Sequence, residues 1–197
     1  MEVYSEYDTT MRTWTASLGW WHSVLYCYAI CVRSSPLYTA FQLREKWGDN
    51  DCILETQELA RRFLTGEKIS DHMIDSLYSR LEMVIPDSEN FTDCSAAMDA
   101  GIIHLYTLSL LKRFDVQETH YVASYCYDLV DAVAGNEIQP AGIMTPEIET
   151  AIGNHPLVQD EVRWQELGRR LIATIPEFDM ASGKQFIDIW AAKPIIP

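Results

Sequence analysis

One carboxylate stands out by its setting. Asp99 lies in Ala96-Ala97-Met98-Asp99-Ala100-Gly101, a run of small side chains that lets two helices approach closely. A carboxylate at such an approach is buried, and a buried carboxylate must be paired or protonated. Arg33 is the expected partner. It follows Thr13 to Val32, a stretch free of Asp, Glu, Lys and Arg, and its guanidinium fork matches a carboxylate in geometry and charge. Arg33 and Asp99 together form either a ligand-binding or acid/base site, or a structural ion pair. In the structural case Asp99→Asn lowers stability, because the guanidinium loses its counter-charge in a poorly hydrated place.

Other constellations are weaker. Glu55 with Glu58 and Asp128 with Asp131 have helical i, i+3 spacing, but no E-x-x-H accompanies them. His22, His72, His104, His120 and His155 are scattered. A di-metal carboxylate bundle needs that motif from two helices, so each pair is expected on solvated helix surface, with no bound metal and no cofactor. Cys94 or Cys126 meeting His104 or His120 would make a nucleophile and base, but the same spacings serve core packing equally well. No G-x-S-x-G elbow, Walker loop or glycine-rich dinucleotide fingerprint occurs. The cysteines Cys27, Cys31, Cys52, Cys94 and Cys126 are odd in number and contain no C-x-x-C. Buried, reduced thiols of a cytoplasmic protein are expected.

Charge narrows the partners. The net charge is -14. Between Leu81 and Val162 fourteen acids face only Lys112 and Arg113. Such a surface repels phosphate backbones and anionic membranes, so neither nucleic acid nor a membrane is an expected partner. Thr13 to Val32 contains Thr13, Thr15, Ser17, His22 and Ser23, which suit a buried core helix better than a lipid-facing span. The acidic stretch is either a solvating face or a docking face for a basic protein, with negative potential strongest around Glu137, Glu147 and Glu149. Arg163, Arg169 and Arg170 are expected to neutralise part of it. Homo-oligomerisation is the other partner arrangement left open.

The elements that position these groups read as helices throughout. Trp14, Leu18, Trp21, Leu25, Tyr28 and Val32 recur at helical spacing and predict a helix over 13–32, stopped at Ser34-Ser35-Pro36, where a second begins. Trp20 and Trp21 point about 100° apart, so one must meet a second helix layer, solvent or a partner. Asp49-Asn50-Asp51 and Ser70 supply N-caps, Gly66 closes the third helix, and Pro86 ends the fourth. A fifth helix runs from about Asp93 to Phe114, with Ala97, Ile102, Leu105, Leu108 and Leu111 on its apolar face. Asp115-Val116-Gln117-Glu118 has capping-box form, and Gly135 is the expected terminator of the helix it opens. A loop follows over 136–144. Thr145-Pro146-Glu147 and His155-Pro156 open two more helices, and a short one follows Pro176. Leu25, Phe41, Leu81, Leu105, Leu108, Leu129 and Leu171 are the expected core. No alternating strand pattern or Asn-Gly hairpin turn appears.

Several stretches taken together resemble a known family. They are Ala29-Ile30-Cys31-Val32-Arg33 with Pro36-Leu37-Tyr38, Phe41 and Gly48-Asp49, then Ile85-Pro86-Asp87, Phe91, Ala97-Met98-Asp99-Ala100, and the acidic helix His155 to Leu171. In order and spacing these resemble the YjaG-like bacterial family, a domain-of-unknown-function group. The resemblance implies an all-α cytosolic fold and supplies no chemistry.

The expected architecture is a single all-α domain over 1–197, a bundle of seven to nine helices, with an N-terminal arm at 1–11 and a C-terminal extension at 176–197. The expected role is a non-enzymatic helical binding or interaction protein with an acidic face. The alternative is a small-molecule enzyme or ligand-binding protein with an inter-helix site near Arg33 and Asp99.

Overall fold

The computed structural model describes residues 2–139 and 144–196. Among them are nine helices and no strand: α1 (Glu2–Thr15), α2 (Trp20–Glu45), α3 (Asn50–Leu64), α4 (Asp71–Glu82), α5 (Ser95–Lys112), α6 (Val116–Ile138), α7 (Pro146–Gly153), α8 (Pro156–Ile172) and α9 (Met180–Trp190). The centre is a layer of α2, α5 and α6. Helices α3 and α4 pack on one side of it, and α1, α7, α8 and α9 on the other. No helix among the described residues is long and apolar enough to cross a membrane.

Helix α5 is enclosed on nearly every side. Ala97, Ala100, Ile103, Leu108, Leu110 and Leu111 are all buried, whereas Leu105 is only half-buried. The single apolar stripe expected from spacing therefore misplaces Ile102 and Leu105, because a helix packed from several directions has no one inner face. Leu25, Phe41, Leu81, Leu108 and Leu129 are core residues as expected, and Leu171 is half-buried. Trp20 and Trp21 do separate. The Trp21 indole donates to the Leu64 carbonyl at 3.1 Å and the Trp20 indole to the Leu110 carbonyl at 2.8 Å, so the second layer receives one of them.

Four boundaries differ from the sequence reading. Residues 2–11 are helical rather than an arm, since Tyr7, Met11 and Trp14 form a buried stripe. The helix expected over 13–32 is broken at 16–19. There the Ser17 hydroxyl takes the Trp14 carbonyl at 2.6 Å, and Gly19 sits in extended backbone as the N-cap of α2, so local side-chain bonds compete with the helical ladder. Pro36 does not stop α2, which runs on to Glu45. A proline leaves the carbonyl four residues earlier without its donor, and here the Ser35 hydroxyl bonds the Val32 carbonyl at 3.1 Å. The two serines read as a stop are adjacent to the break, and one of them repairs it. Gly135 likewise lies inside α6, packed near Ile152 of α7. The loop expected at 136–144 is thus shortened at its start, and its 140–143 portion lies outside the described residues.

The remaining caps fall where the sequence puts them. Asp49, Ser70, Asp115, Thr145 and His155 each accept a backbone N–H at the start of a helix. The C-terminal segment is part of the core. Trp190 is buried, and the Trp164 and Trp190 indoles each donate to the other's carbonyl, at 3.0 and 2.8 Å. Gly168 is required by this contact: a Cβ there would fall 2.6 Å from the Trp190 indole nitrogen, which its bonds hold in place.

Candidate functional site

Arg33 and Asp99 go to different places. Arg33 is 1% exposed and forms a two-pronged pair with Glu161 of α8, at 3.0 and 2.6 Å. Its third donor, Nε, bonds the Lys193 carbonyl at 2.9 Å, and its plane lies 4.6 Å from the Trp190 ring centre. Glu161 receives two further donors, the Cys126 thiol and the Gln165 amide, both at 3.1 Å. Burial and the Glu161 charge push the Cys126 thiol well up, so it keeps its proton and serves as donor. Gln165 Oε1 then accepts from the Tyr7 and Tyr26 hydroxyls, at 2.8 and 2.7 Å. This network ties α1, α2, α6, α8 and the C-terminal tail together, with no charge left uncompensated. It is a closed structural device.

Asp99 has no such partner. It is 9% exposed, and among the described residues no ion pair reaches it. Burial, then the charge of Asp128, raises its carboxyl to about 7. The expected Arg33–Asp99 pair is therefore replaced by Arg33–Glu161. The cation was claimed by a carboxylate 128 residues away in sequence, on a helix whose acids read as surface.

Asp128, whose charge acts on Asp99, lines an open cleft. The cleft lies between α1, α6 and the C-terminal end of α7, with a volume of about 530 Å³. Tyr4, Tyr127, Asp128, Asp131, Glu149 and Ile152 line it. An adjoining hollow of about 360 Å³ shares Asp131, Met144 and Ile152. Asp128 reaches solvent, yet protein surrounds much of it. That desolvation, then Asp131, raises its carboxyl to about 6. Burial raises Asp131 as well. The aromatic wall is braced: Tyr127 lies 5.1 Å from Tyr4 and stacks on Tyr7 at 4.9 Å between ring centres, and Tyr7 is fixed by Gln165 of the closed network. Sequence spacing offered Asp128 and Asp131 only as a surface pair. Tyr4 and Tyr7 carried a signal, since they begin the 4-7-11-14 helical stripe.

The other constellations do not assemble. Cys126 bonds Glu161, whereas His120 meets Asp8 at 3.1 Å and His104 bonds the Ala100 carbonyl at 2.7 Å. His104 is fully buried, and burial lowers its pKa to about 4, so it is a neutral core residue. Glu55 pairs with Arg80 and Glu58 with Arg61 on open surface. All five cysteines are buried and free. The described residues hold no group of three His, Cys, Asp or Glu side chains placed to bind a metal ion.

Of the fourteen acids between Leu81 and Val162, three pair with a Lys or Arg among the described residues: Asp115, Asp160 and Glu161. Arg163 joins Asp160 as expected, but Arg169 and Arg170 both turn to Glu166, outside the stretch. Glu137 is held by His155 at 3.2 Å. The His155 Nδ1 accepts from the Leu157 N–H, so a neutral ring carries its proton on Nε2 and donates it to Glu137.

These features define an all-α protein with a sealed ion pair in its core and a carboxylate-lined cleft at its surface. The chain belongs to the family described as "Protein of unknown function (DUF416)", whose model matches residues 14–186. A crystal structure of a DUF416 family protein from Shewanella baltica OS155 is similar to it, with a TM-score of 0.77 and 19% identity over 92% of this chain and 93% of that one. That likeness concerns the fold. No curated protein matches the chain. The domain-of-unknown-function resemblance drawn from the sequence holds, and the matched residues reach into α9.

Proposed function

We propose that this is a non-enzymatic, cytoplasmic binding protein whose acidic face, centred on α7 and the end of α6, receives a basic protein partner. The observation that supports the reading is the surplus of carboxylates there with no Lys or Arg partner among the described residues. Glu147 and Glu149 pair with no Lys or Arg among the described residues, while most carboxylates of α3 and α8 sit in local ion pairs. A protein that needed acidity only for solubility gains nothing from concentrating it in one region. A second copy of the chain would bring like charge to this face, which favours a basic partner over self-association. Free, buried thiols accord with a reducing compartment.

Affinity capture at low and physiological salt tests the reading. One basic partner should be recovered, cross-linking to α7, with an association rate that falls steeply with salt. Glu147→Lys with Glu149→Lys should abolish its capture at an unchanged melting temperature. Recovery of many basic proteins, indifferent to the reversals, would leave the acidity as a solvating surface and end the proposal.

A further inference from the structure

We infer that the outer face of the α5–α6 pair docks an amphipathic helix of a basic protein, its apolar side on Ile102, Tyr106, Tyr121 and Tyr125 and its cations on Glu118 and Asp128. The inference rests on the reading that the partner is a basic protein, and adds where and how its chain is held.

The packing leaves this face open. Helix α2 covers the inner side of the pair, α3 and α4 flank α5, and α1, α7 and α8 flank α6. On the outer side Met98, Ile102 and Tyr106 recur every four residues along α5, one above the other. All three are only partly buried, and neither Met98 nor Ile102 packs against the buried core of the described residues. Tyr121 and Tyr125 form the matching stripe of α6, with Tyr121 41% exposed. Tyr106 joins the two stripes, its ring centre 4.9 Å from that of Tyr121 and 5.8 Å from that of Tyr125. Apolar side chains scattered singly over a surface are ordinary. These five lie on adjoining turns of two neighbouring helices and make a continuous strip, and tyrosine is enriched where proteins bind one another.

Charge at the two ends of the strip selects what covers it. Glu118 lies three residues before Tyr121, and Asp128 three after Tyr125, so both stand on the same face of α6. Neither pairs with a Lys or Arg among the described residues. Lys112 and Arg113, the cations of this part of the chain, are bonded to Asp75 and Asp115. One oxygen of Glu118, Oε2, is withdrawn from water with no hydrogen-bond donor. A second copy on a two-fold contact would set these acids against themselves, and a phosphate backbone would be repelled. A basic chain gains at both ends.

The spacing sets the form of that chain. Glu118 and Asp128 are ten residues apart, roughly 15 Å along α6. A helix laid along the strip therefore carries Lys or Arg about ten residues apart, with apolar residues at i, i+3 or i+4, and i+7 between them. A helix suits this face better than an extended strand, because no strand among the described residues offers an edge to pair with.

The test uses the full chain and a fluorescein-labelled peptide of this pattern, KLAALAAALAK, with ELAALAAALAE and KSAASAAASAK as controls. Anisotropy should show saturable binding of the first peptide alone, and amide NMR should place its shifts on residues 98–106 and 118–128. Tyr121→Ser changes an exposed side chain, so the melting temperature should hold while binding weakens at least about tenfold. Tyr121→Phe should keep most of the binding. Glu118→Gln with Asp128→Asn should weaken it a few-fold and flatten its dependence on salt. Equal binding of either control, shifts confined to α7, no saturation by the first peptide, or indifference to Tyr121→Ser would overturn the inference. So would sedimentation showing that the chain pairs with itself in a way that Tyr121→Ser abolishes, since a second copy would then cover the face. The two readings fail separately: Glu147→Lys with Glu149→Lys lies off this face and should leave peptide binding intact, whereas it abolishes capture of the partner.

Discussion

Glu161 and Asp99 are both carboxylates withdrawn from water, at 2% and 9% exposure, and the fold handles them in opposite ways. Glu161 receives a guanidinium, a thiol and an amide. Asp99 has no cation beside it among the described residues, and burial, then the charge of Asp128, holds its proton to about 7. The contrast teaches that burial alone does not make an acid a site. What matters is whether the chain itself supplies the positive charge. Where it does, the charge is consumed in holding helices together. Where it does not, the acid keeps its proton up to near neutral pH.

Removing the cation from the closed region should have the largest effect. Arg33→Met keeps much of the volume and leaves Glu161 buried without its counter-charge, which costs about 3–5 kcal/mol. Urea unfolding at neutral pH reads this directly. Adding Glu161→Leu should restore most of the loss, since the desolvated charge is then gone. A loss below about 1 kcal/mol for Arg33→Met alone would mean that water reaches Glu161, and the closed half of the comparison would collapse.

The same contrast explains what the sequence could and could not disclose. Helix existence, caps and the all-α class were legible because they are local: Asp49, Ser70, Asp115, Thr145 and His155 each act within three residues. The unusual setting of Asp99 was legible for the same reason, from its small neighbours. The partner of Arg33 was not, because Glu161 lies far along the chain among acids that otherwise face solvent. Pro36 misled for a subtler reason. Its missing donor was foreseeable, but the repair by the Ser35 hydroxyl depends on a rotamer that spacing does not reveal. The cleft was invisible for a third reason: its walls come from α1, α6 and α7, and only the fold brings Tyr4 to Asp128.

A smaller loss is expected at the edge of the closed network. Gln165→Leu deprives the Tyr26 hydroxyl of its acceptor and Glu161 of one donor. Stranding buried polar groups in this way costs about 1–3 kcal/mol. A second unfolding series, with Tyr26→Phe added, separates the hydroxyl from the carboxylate, because the orphaned group is then absent and part of the loss returns. If Gln165→Leu changes stability by less than about 0.5 kcal/mol, solvent replaces the amide, and the network is as open as the cleft.

The smallest effect has the opposite sign, and it sets the two carboxylates most clearly apart. In the unfolded chain Asp99 releases its proton near the ordinary value of 3.8, whereas the folded chain holds it to about 7. Between those values the folded state binds more protons than the unfolded one, so this group makes stability fall as pH rises, and its full cost is in place above pH 7. Asn has nearly the same shape and never ionises. Asp99→Asn should therefore leave stability nearly unchanged at pH 4, flatten its decline between pH 4 and 7, and raise it by about 1–2 kcal/mol at pH 8. That is less than the whole shift would convert to, because part of the group meets solvent. This reverses the loss expected from an Arg33–Asp99 pair. Denaturant melts of the two proteins at pH 4, 6 and 8 decide the sign. A loss at pH 8 would show that Asp99 has a cation of its own, and the distinction between a closed acid and an open one would no longer hold.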